Sequence, residues 1–307
     1  MRLKTQGYIV LALGPARYRE MAANLAASIK VMDPGRPVCL VHDVGVTLDE
    51  EARALFDHTV ALESDPRFPH VMNKIRLFEL SPYTSTMFVD ADCLLVKRDV
   101  DHYWNAVSSR PFSITGGKRR TGEWKGVRIE DVLRQEGAPY LIQMNAGIFH
   151  FDASEEAGTF FRELGEYYLS RMDRLNITNY KGPQSQSFEL YLGLFMGLKG
   201  MNSDNVGNTG GNSWMVSSWR ALRCDFDPRQ GRSTIYKGDG HVLGLPFLPT
   251  RVVKLSPTFA HFIALKPRRV YARLAEQFRA MAAAQREGHV AVTPPARTVA
   301  RDARGMR

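Results

Sequence analysis

The chain reads as an α/β protein whose mainly parallel sheet is flanked by helices. Strand and helix signals alternate from its start, and 307 residues with 44% hydrophobic side chains are enough to bury a large core. Tyr8 to Leu13 is the first strand, Tyr18 to Met32 an Ala-rich helix and Pro37 to His42 the second strand, which together make a βαβ unit with parallel strands. Thr47 to Glu51 resembles a helix start with acids in its first turn, and Thr59 to Leu62 is a third parallel strand. His70 to Leu80 reads as a helix stopped by Ser81-Pro82, and Thr86 to Val96 is the strongest strand signal in the chain.

The middle is less regular. Gly116 to Gly126 is a polar, basic loop, and Gln143 to Phe151 is a strand with a glycine inside it. Ala157 to Met172 and Pro183 to Met196 read as helices, separated from later short strands by the Gly- and Asn-rich loop Asn202 to Ser213. Three strand signals lie between Ser233 and Phe262. In the terminal helix, Val270, Leu274, Phe278 and Met281 recur with helical spacing, and the residues beyond Gly288 have no periodicity. The organisation expected is a catalytic domain over 1–267, an amphipathic basic helix over 268–287 and a mobile basic tail over 288–307.

Composition narrows the function. Lys and Arg number 41 and Asp and Glu 32, so the net charge is 41 − 32 = +9. From Arg268 onward nine arginines and three acids give 9 − 3 = +6, so two thirds of the surplus sits in the last forty residues. The body is therefore no dedicated nucleic-acid binder. Cys39, Cys93 and Cys224 are odd in number and flanked by apolar residues, as reduced core thiols are, and they point to a cytoplasmic protein. Met1 to Lys4 followed by an apolar run imitates a secretory signal, but the run is short and Gly14-Pro15 ends it, so a buried strand is expected.

The strongest strand carries Asp90-Ala91-Asp92, which a two-residue period places with both carboxylates on one face. Two anions so placed suit a divalent cation such as Mn²⁺ or Mg²⁺, whose open positions take substrate phosphates. Four further residues or segments give context: Lys74 before this strand, within reach of a phosphate; Asn145-Ala146-Gly147 inside an apolar strand; His261 in an apolar run, a third metal ligand; and Lys266 five residues later.

With these in place the chain resembles a glycosyltransferase of the GT-A fold, most similar to glycosyltransferase family 8. The similarity runs from about Tyr8 to Pro267. It implies a Rossmann-like sheet, Mn²⁺ (or Mg²⁺) on Asp90, Asp92 and His261, and a UDP-sugar donor whose diphosphate meets Lys74 and Lys266. It also implies that Ala12, Leu13, Gly14 and Tyr18 receive the uracil ring and that Asn145, Ala146 and Gly147 meet the sugar. Where the family has an Asp-Gln pair at a helix start, this chain reads Gly182-Pro-Gln-Ser-Gln-Ser-Phe-Glu189, leaving Gln184 or Gln186 to hold the sugar and Glu189 to supply the charge. Ala264 replaces a family glycine, and the lysine comes one residue early.

The resulting expectation is transfer of a sugar from a nucleotide sugar to a saccharide or lipid-linked acceptor. Two alternatives stand beside it: an inactive sugar-nucleotide-binding protein, and a phage-type enzyme glycosylating modified DNA bases. The basic loop, with Lys118, Arg119, Arg120 and Lys125, is either a solvated face or an acceptor contact. The terminal helix either packs on the domain or lies on an anionic membrane at the inner surface. Contact of the basic loop and tail with nucleic acid is not favoured.

Overall fold

The computed structural model describes residues 2–173, 175, 186–203, 212–239 and 251–288. The first half is β1 (Leu3–Ala12), α1 (Ala16–Met32), β2 (Val38–Asp43), α2 (Glu50–Arg53), β3 (His58–Leu62), a 3-10 segment (His70–Arg76), α3 (Leu77–Leu80), β4 (Tyr83–Val89), β5 (Cys93–Leu95) and α4 (Val100–Val107). Then follow β6 (Phe112–Ser113), β7 (Gly116–Arg119), β8 (Glu123–Trp124), β9 (Val127–Arg128), α5 (Ile129–Glu136), β10 (Leu141–Met144) and β11 (Ile148–Asp152). The remainder is α6 (Glu155–Leu169), α7 (Phe188–Leu198), β12 (Asn212–Ser217), β13 (Ala221–Asp227), β14 (Arg232–Asp239), β15 (Arg251–His261) and α8 (Arg268–Arg286).

The α/β class is as expected. The main sheet has six strands in the order β3-β2-β1-β4-β11-β6. The first four run parallel, with Tyr8 opposite Val38 and Ile9 opposite Phe88, while β11 runs antiparallel to β4. A second sheet has the order β12-β15-β14-β13, and β5 joins it through β15.

Both faces of the main sheet are covered, which is why its central strands are apolar throughout. On β1, Tyr8, Val10 and Ala12 point into a layer shared with α1, α8 and the second sheet, while Ile9 points into the opposite layer with α6 and α7. That second layer is largely aromatic: Phe112 stacks on Phe160 at 4.4 Å, and Phe88 lies 4.8 Å from Phe149. In α8, Tyr271, Leu274, Ala275, Phe278 and Ala282 are buried, and Asn24 of α1 donates to the Tyr271 hydroxyl at 3.3 Å. The apolar stripe is thus spent against α1, which leaves a mixed face of Arg268, Arg269, Arg273, Glu276 and Gln277 exposed. No described helix is long and apolar enough to cross a membrane.

Helix α7 comes unusually close to β10. A Cβ on Gly193 would lie 2.4 Å from the Ile142 carbonyl oxygen, and one on Gly197 would lie 1.8 Å from that of Tyr140. Any side chain at either position would push the helix off the strand. These glycines lie four and eight residues beyond Glu189, so the helix face that hugs β10 also carries Glu189 toward the end of that strand.

Several local expectations are corrected. Residues 70–76 are 3-10 rather than α-helical. Gln143 to Phe151 is two strands in different sheets, broken at Asn145 to Gly147. The Gly116 to Gly126 loop contains β7, paired with β10, and β8, paired with β9. The helix expected from Pro183 begins at Phe188. The loop expected from Asn202 to Ser213 falls outside the described residues over 204–211, with Asn212 and Ser213 opening β12, and the tail expected over 288–307 falls outside them from 289 on.

One buried titratable group in the core ties stability to pH on the acid side. His150 on β11 is fully buried, with its Nε2 2.9 Å from the Ser85 hydroxyl, and burial holds its imidazole down at about 4 from an ordinary 6.5. The folded state refuses a proton that the unfolded chain accepts. Stability from this residue is therefore complete above pH 6.5 and lost as pH falls toward about 4, a difference of roughly 3 kcal/mol. Urea midpoints at neutral and mildly acid pH are expected to show this fall, and a His150→Gln variant should flatten it.

Candidate active site

In the main sheet β2 and β3 lie on one side of β1 and β4 on the other, so the strand order reverses between β1 and β4. The carboxyl ends of such neighbours open a crevice. Gly14, with φ 82°, turns the chain away after β1, and its N–H donates to Asp43 Oδ2 at 2.7 Å. Within the segment assigned to the base, Ala12 is buried, Leu13 and Tyr18 are half-buried and Gly14 is exposed.

On the other lip, Asp90-Ala91-Asp92 is a turn and not a strand. The Cys93 N–H donates to the Asp90 carbonyl at 3.0 Å, closing the turn. The Asp90 N–H donates to the Gly147 carbonyl at 2.7 Å, and the Phe262 N–H to the Asp92 carbonyl at 2.9 Å. The chain passes here from the first sheet to the second, with Cys93 opposite His261. The turn, not the pleat, directs the two carboxylates, Asp90 to Lys74 and Asp92 to His261.

Each carboxylate has a cationic or imidazole partner. Lys74 is buried, and its Nζ lies 2.8 Å from Asp90 Oδ1 and donates to the Ala146 carbonyl at 3.0 Å, above the Phe88 ring at 4.8 Å. Burial pushes the Asp90 carboxyl up; Asp92 adds to this, while Lys74 and His261 oppose it. His261 Nε2 lies 3.1 Å from Asp92 Oδ1, and its Nδ1 lies 3.4 Å from the Asn145 amide nitrogen. For this imidazole burial is the largest influence and lowers its pKa, but the neighbouring Asp92 and Asp90 outweigh it and hold the ring above its ordinary value.

The break between β10 and β11 completes the constellation. The Gly147 N–H donates to Asn145 Oδ1 at 2.9 Å. A Cβ on Gly147 would sit 3.0 Å from that oxygen and 3.3 Å from Asp90 Oδ2, so glycine lets the backbone pass against the carboxylate. Glu189 accepts from the Ala146 N–H at 3.0 Å and is ion-paired with Lys125. A cleft of about 360 Å³ opens beside Asn145, lined by Thr115, Gly116, Trp124, Gln143 and Trp214 among others.

One ligand atom each of Asp92, Cys93 and His261 lies within 4.8 Å of the others. Burial and the two aspartates push the Cys93 thiol far up, so it stands as a neutral thiol. A carboxylate beside an imidazole fits Mn²⁺ better than Mg²⁺, which prefers all-oxygen shells.

Other expected site residues are placed differently. The Gln186 amide accepts from the Tyr191 hydroxyl at 3.0 Å and donates to the Met172 carbonyl at 3.4 Å, so it anchors the start of α7. Gln184 lies outside the described residues. Lys266 is exposed, with its ammonium 5.9 Å from the Trp219 ring centre. Ala264, where the resembled family has glycine, has a left-handed φ of 53°. Ala264→Gly is expected to stabilise the fold by roughly 1 kcal/mol, visible as a higher urea midpoint at unchanged slope.

Sequence reasoning missed Cys93, Asp43 and the tie between Lys125 and Glu189. The apolar neighbours of Cys93 hid it, and no spacing connects residues 125, 146 and 189.

No protein-family model and no curated protein matches the chain. Similar solved structures include the galactosyltransferase LgtC in complex with donor and acceptor sugar analogues, at 15% identity and a TM-score of 0.48, covering 94% of this chain and 98% of that one. The bifunctional glycosyltransferase WbbM is similar over 70% of this chain and 40% of its own, at 11% identity and a TM-score of 0.44. The apo form of the glycosyltransferase GlyE of Streptococcus pneumoniae TIGR4 is similar over 65% and 44%, at 12% identity and a TM-score of 0.43.

Proposed function

We propose that this chain is a metal-dependent glycosyltransferase that moves a sugar from a UDP-sugar to a saccharide or lipid-linked acceptor. The observation that carries the reading is the pairing of Asp92 with His261 beside the Lys74-held Asp90, at the crevice where the strand order reverses. A divalent cation bound there would neutralise the departing nucleotide diphosphate.

Asp92 and His261 would hold the ion, with Asp90 completing the anionic lining. Lys74 opposes the rise that burial imposes on the Asp90 carboxyl and ties it to the Ala146 carbonyl, holding this lip of the crevice in place. Lys266 is the second phosphate contact. The turn from Ala12 to Tyr18 takes the base. The exposed amide of Asn145 stands at the cleft edge, where a sugar hydroxyl would meet it. With Gln186 committed to Tyr191, Gln184 is the remaining glutamine for the sugar, and Glu189 sets the position of Ala146.

Incubation of the full chain with a panel of nucleotide sugars tests this. UDP release is expected with Mn²⁺, lost with a chelator and restored by excess Mn²⁺. Nucleotide-sugar binding without release would reassign the chain to the inactive binding protein, and absence of both would overturn the reading.

A further inference from the structure

We infer that the acceptor carries an anionic group, a carboxylate or a phosphate, gripped by Arg119 at the mouth of the cleft beside Asn145; this inference rests on the glycosyltransferase reading. In the antiparallel pair of β7 and β10, Gly117 stands opposite Gln143 and Arg119 opposite Leu141. Residues opposite one another, or two apart on a strand, share a face, so Gly117, Arg119 and Gln143 lie together. The Arg119 Nε indeed donates to Gln143 Oε1 at 2.8 Å, and Gln143 lines the cleft with Asn145 and Trp124.

Two features turn this arginine into a receptor. Gly117 leaves the lane between them open, since a Cβ there would meet nothing within 4 Å. Gln143 holds the guanidinium through Nε alone, and no described residue accepts from its two terminal amino groups. Those groups form the fork that matches a carboxylate or phosphate bidentately.

The surrounding charge has the matching sign. The Lys118 ammonium lies over the Tyr140 ring at 4.3 Å, and the Arg120 Nε donates to the Pro139 carbonyl at 3.3 Å. Among the described residues neither forms an ion pair. Lys125 is compensated by Glu189, and Glu123 lies across its ladder from Arg128. Arg119 and its chain neighbours Lys118 and Arg120 therefore carry three like charges with no ion pair among the described residues, a field that a neutral sugar would leave unanswered. The Trp124 ring in the cleft wall offers the apolar surface on which a sugar face rests.

Ligand-observed NMR on the full chain with Mn²⁺ and UDP, titrating glucose, glucose 6-phosphate and glucuronate, tests the inference. At least one charged sugar is expected to bind on the order of tenfold more tightly than glucose, with an advantage that salt erodes. The tighter of the two identifies the anion as phosphate or carboxylate. Arg119→Gln should abolish the advantage, and Arg119→Lys, which keeps the charge but loses the fork, should retain only part of it. Equal binding of all three sugars, an unaltered advantage in Arg119→Gln, or inorganic phosphate competing as well as the sugar phosphate would overturn it. Acceptor-free UDP release by the unsubstituted chain reports the donor reading separately. Its loss would sink the enzyme, whereas loss of anion selectivity with release intact would sink the acceptor.

Discussion

Asp92→Asn is expected to lower Mn²⁺-dependent UDP release roughly 10³-fold, the equivalent of about 4 kcal/mol, while the protein still folds cooperatively and loses only the stability that its pairing with His261 supplies. The amide keeps the size of the carboxylate but loses the charge that a hard cation needs. The backbone of the turn is held independently of this side chain, by the Phe262 N–H on the Asp92 carbonyl and by the pairing of Cys93 with His261. Asp90→Asn should behave differently. It removes the one carboxylate that, among the described residues, pairs with the buried Lys74, so activity and stability fall together. Measuring turnover and urea unfolding on both variants separates the two carboxylates, and equal turnover of Asp92→Asn and the unsubstituted chain would remove the metal assignment.

The contrast between the aspartates shows what the sequence made visible. The apolar runs of β1, β2 and β4 announced themselves because both faces of the sheet are covered, and the helix between β1 and β2 showed through its alanine content. That Asp90, Asp92, Lys74 and His261 belong to one site followed from the family resemblance and the order of motifs; that Lys74 would be buried against Asp90, where a phosphate contact was expected, did not. Nor was the means of convergence legible. Val89 before the turn and Cys93 and Leu94 after it are all apolar, so one strand was read where the chain changes sheets. The change depends on β11 and β15, whose pairing with β4 and β5 has no signature in the local sequence. Gln186 failed for a similar reason, because its partner Tyr191 is visible only once α7 is built. Glu189 had one clue, the glycines at 193 and 197 that mark the face of closest approach to β10.

The same reasoning gives the largest stability effect expected in the site. Lys74→Met should destabilise the fold by roughly 3–5 kcal/mol, the cost of leaving one member of a buried ion pair alone. Methionine matches the lysine stem and suits the Phe88 and Phe188 rings that lie 4.8 and 5.8 Å from the ammonium, so lost packing contributes little. What remains is the Asp90 carboxylate without its cation and the Ala146 carbonyl without its donor. Against a total stability of about 5–15 kcal/mol this is a substantial fraction. Adding Asp90→Asn to Lys74→Met removes the stranded charge, and the double variant is expected to recover much of the loss in urea unfolding. Strict additivity of the two single effects would mean that the ion pair contributes nothing, and Lys74 would then have to be explained by the packing of its stem alone.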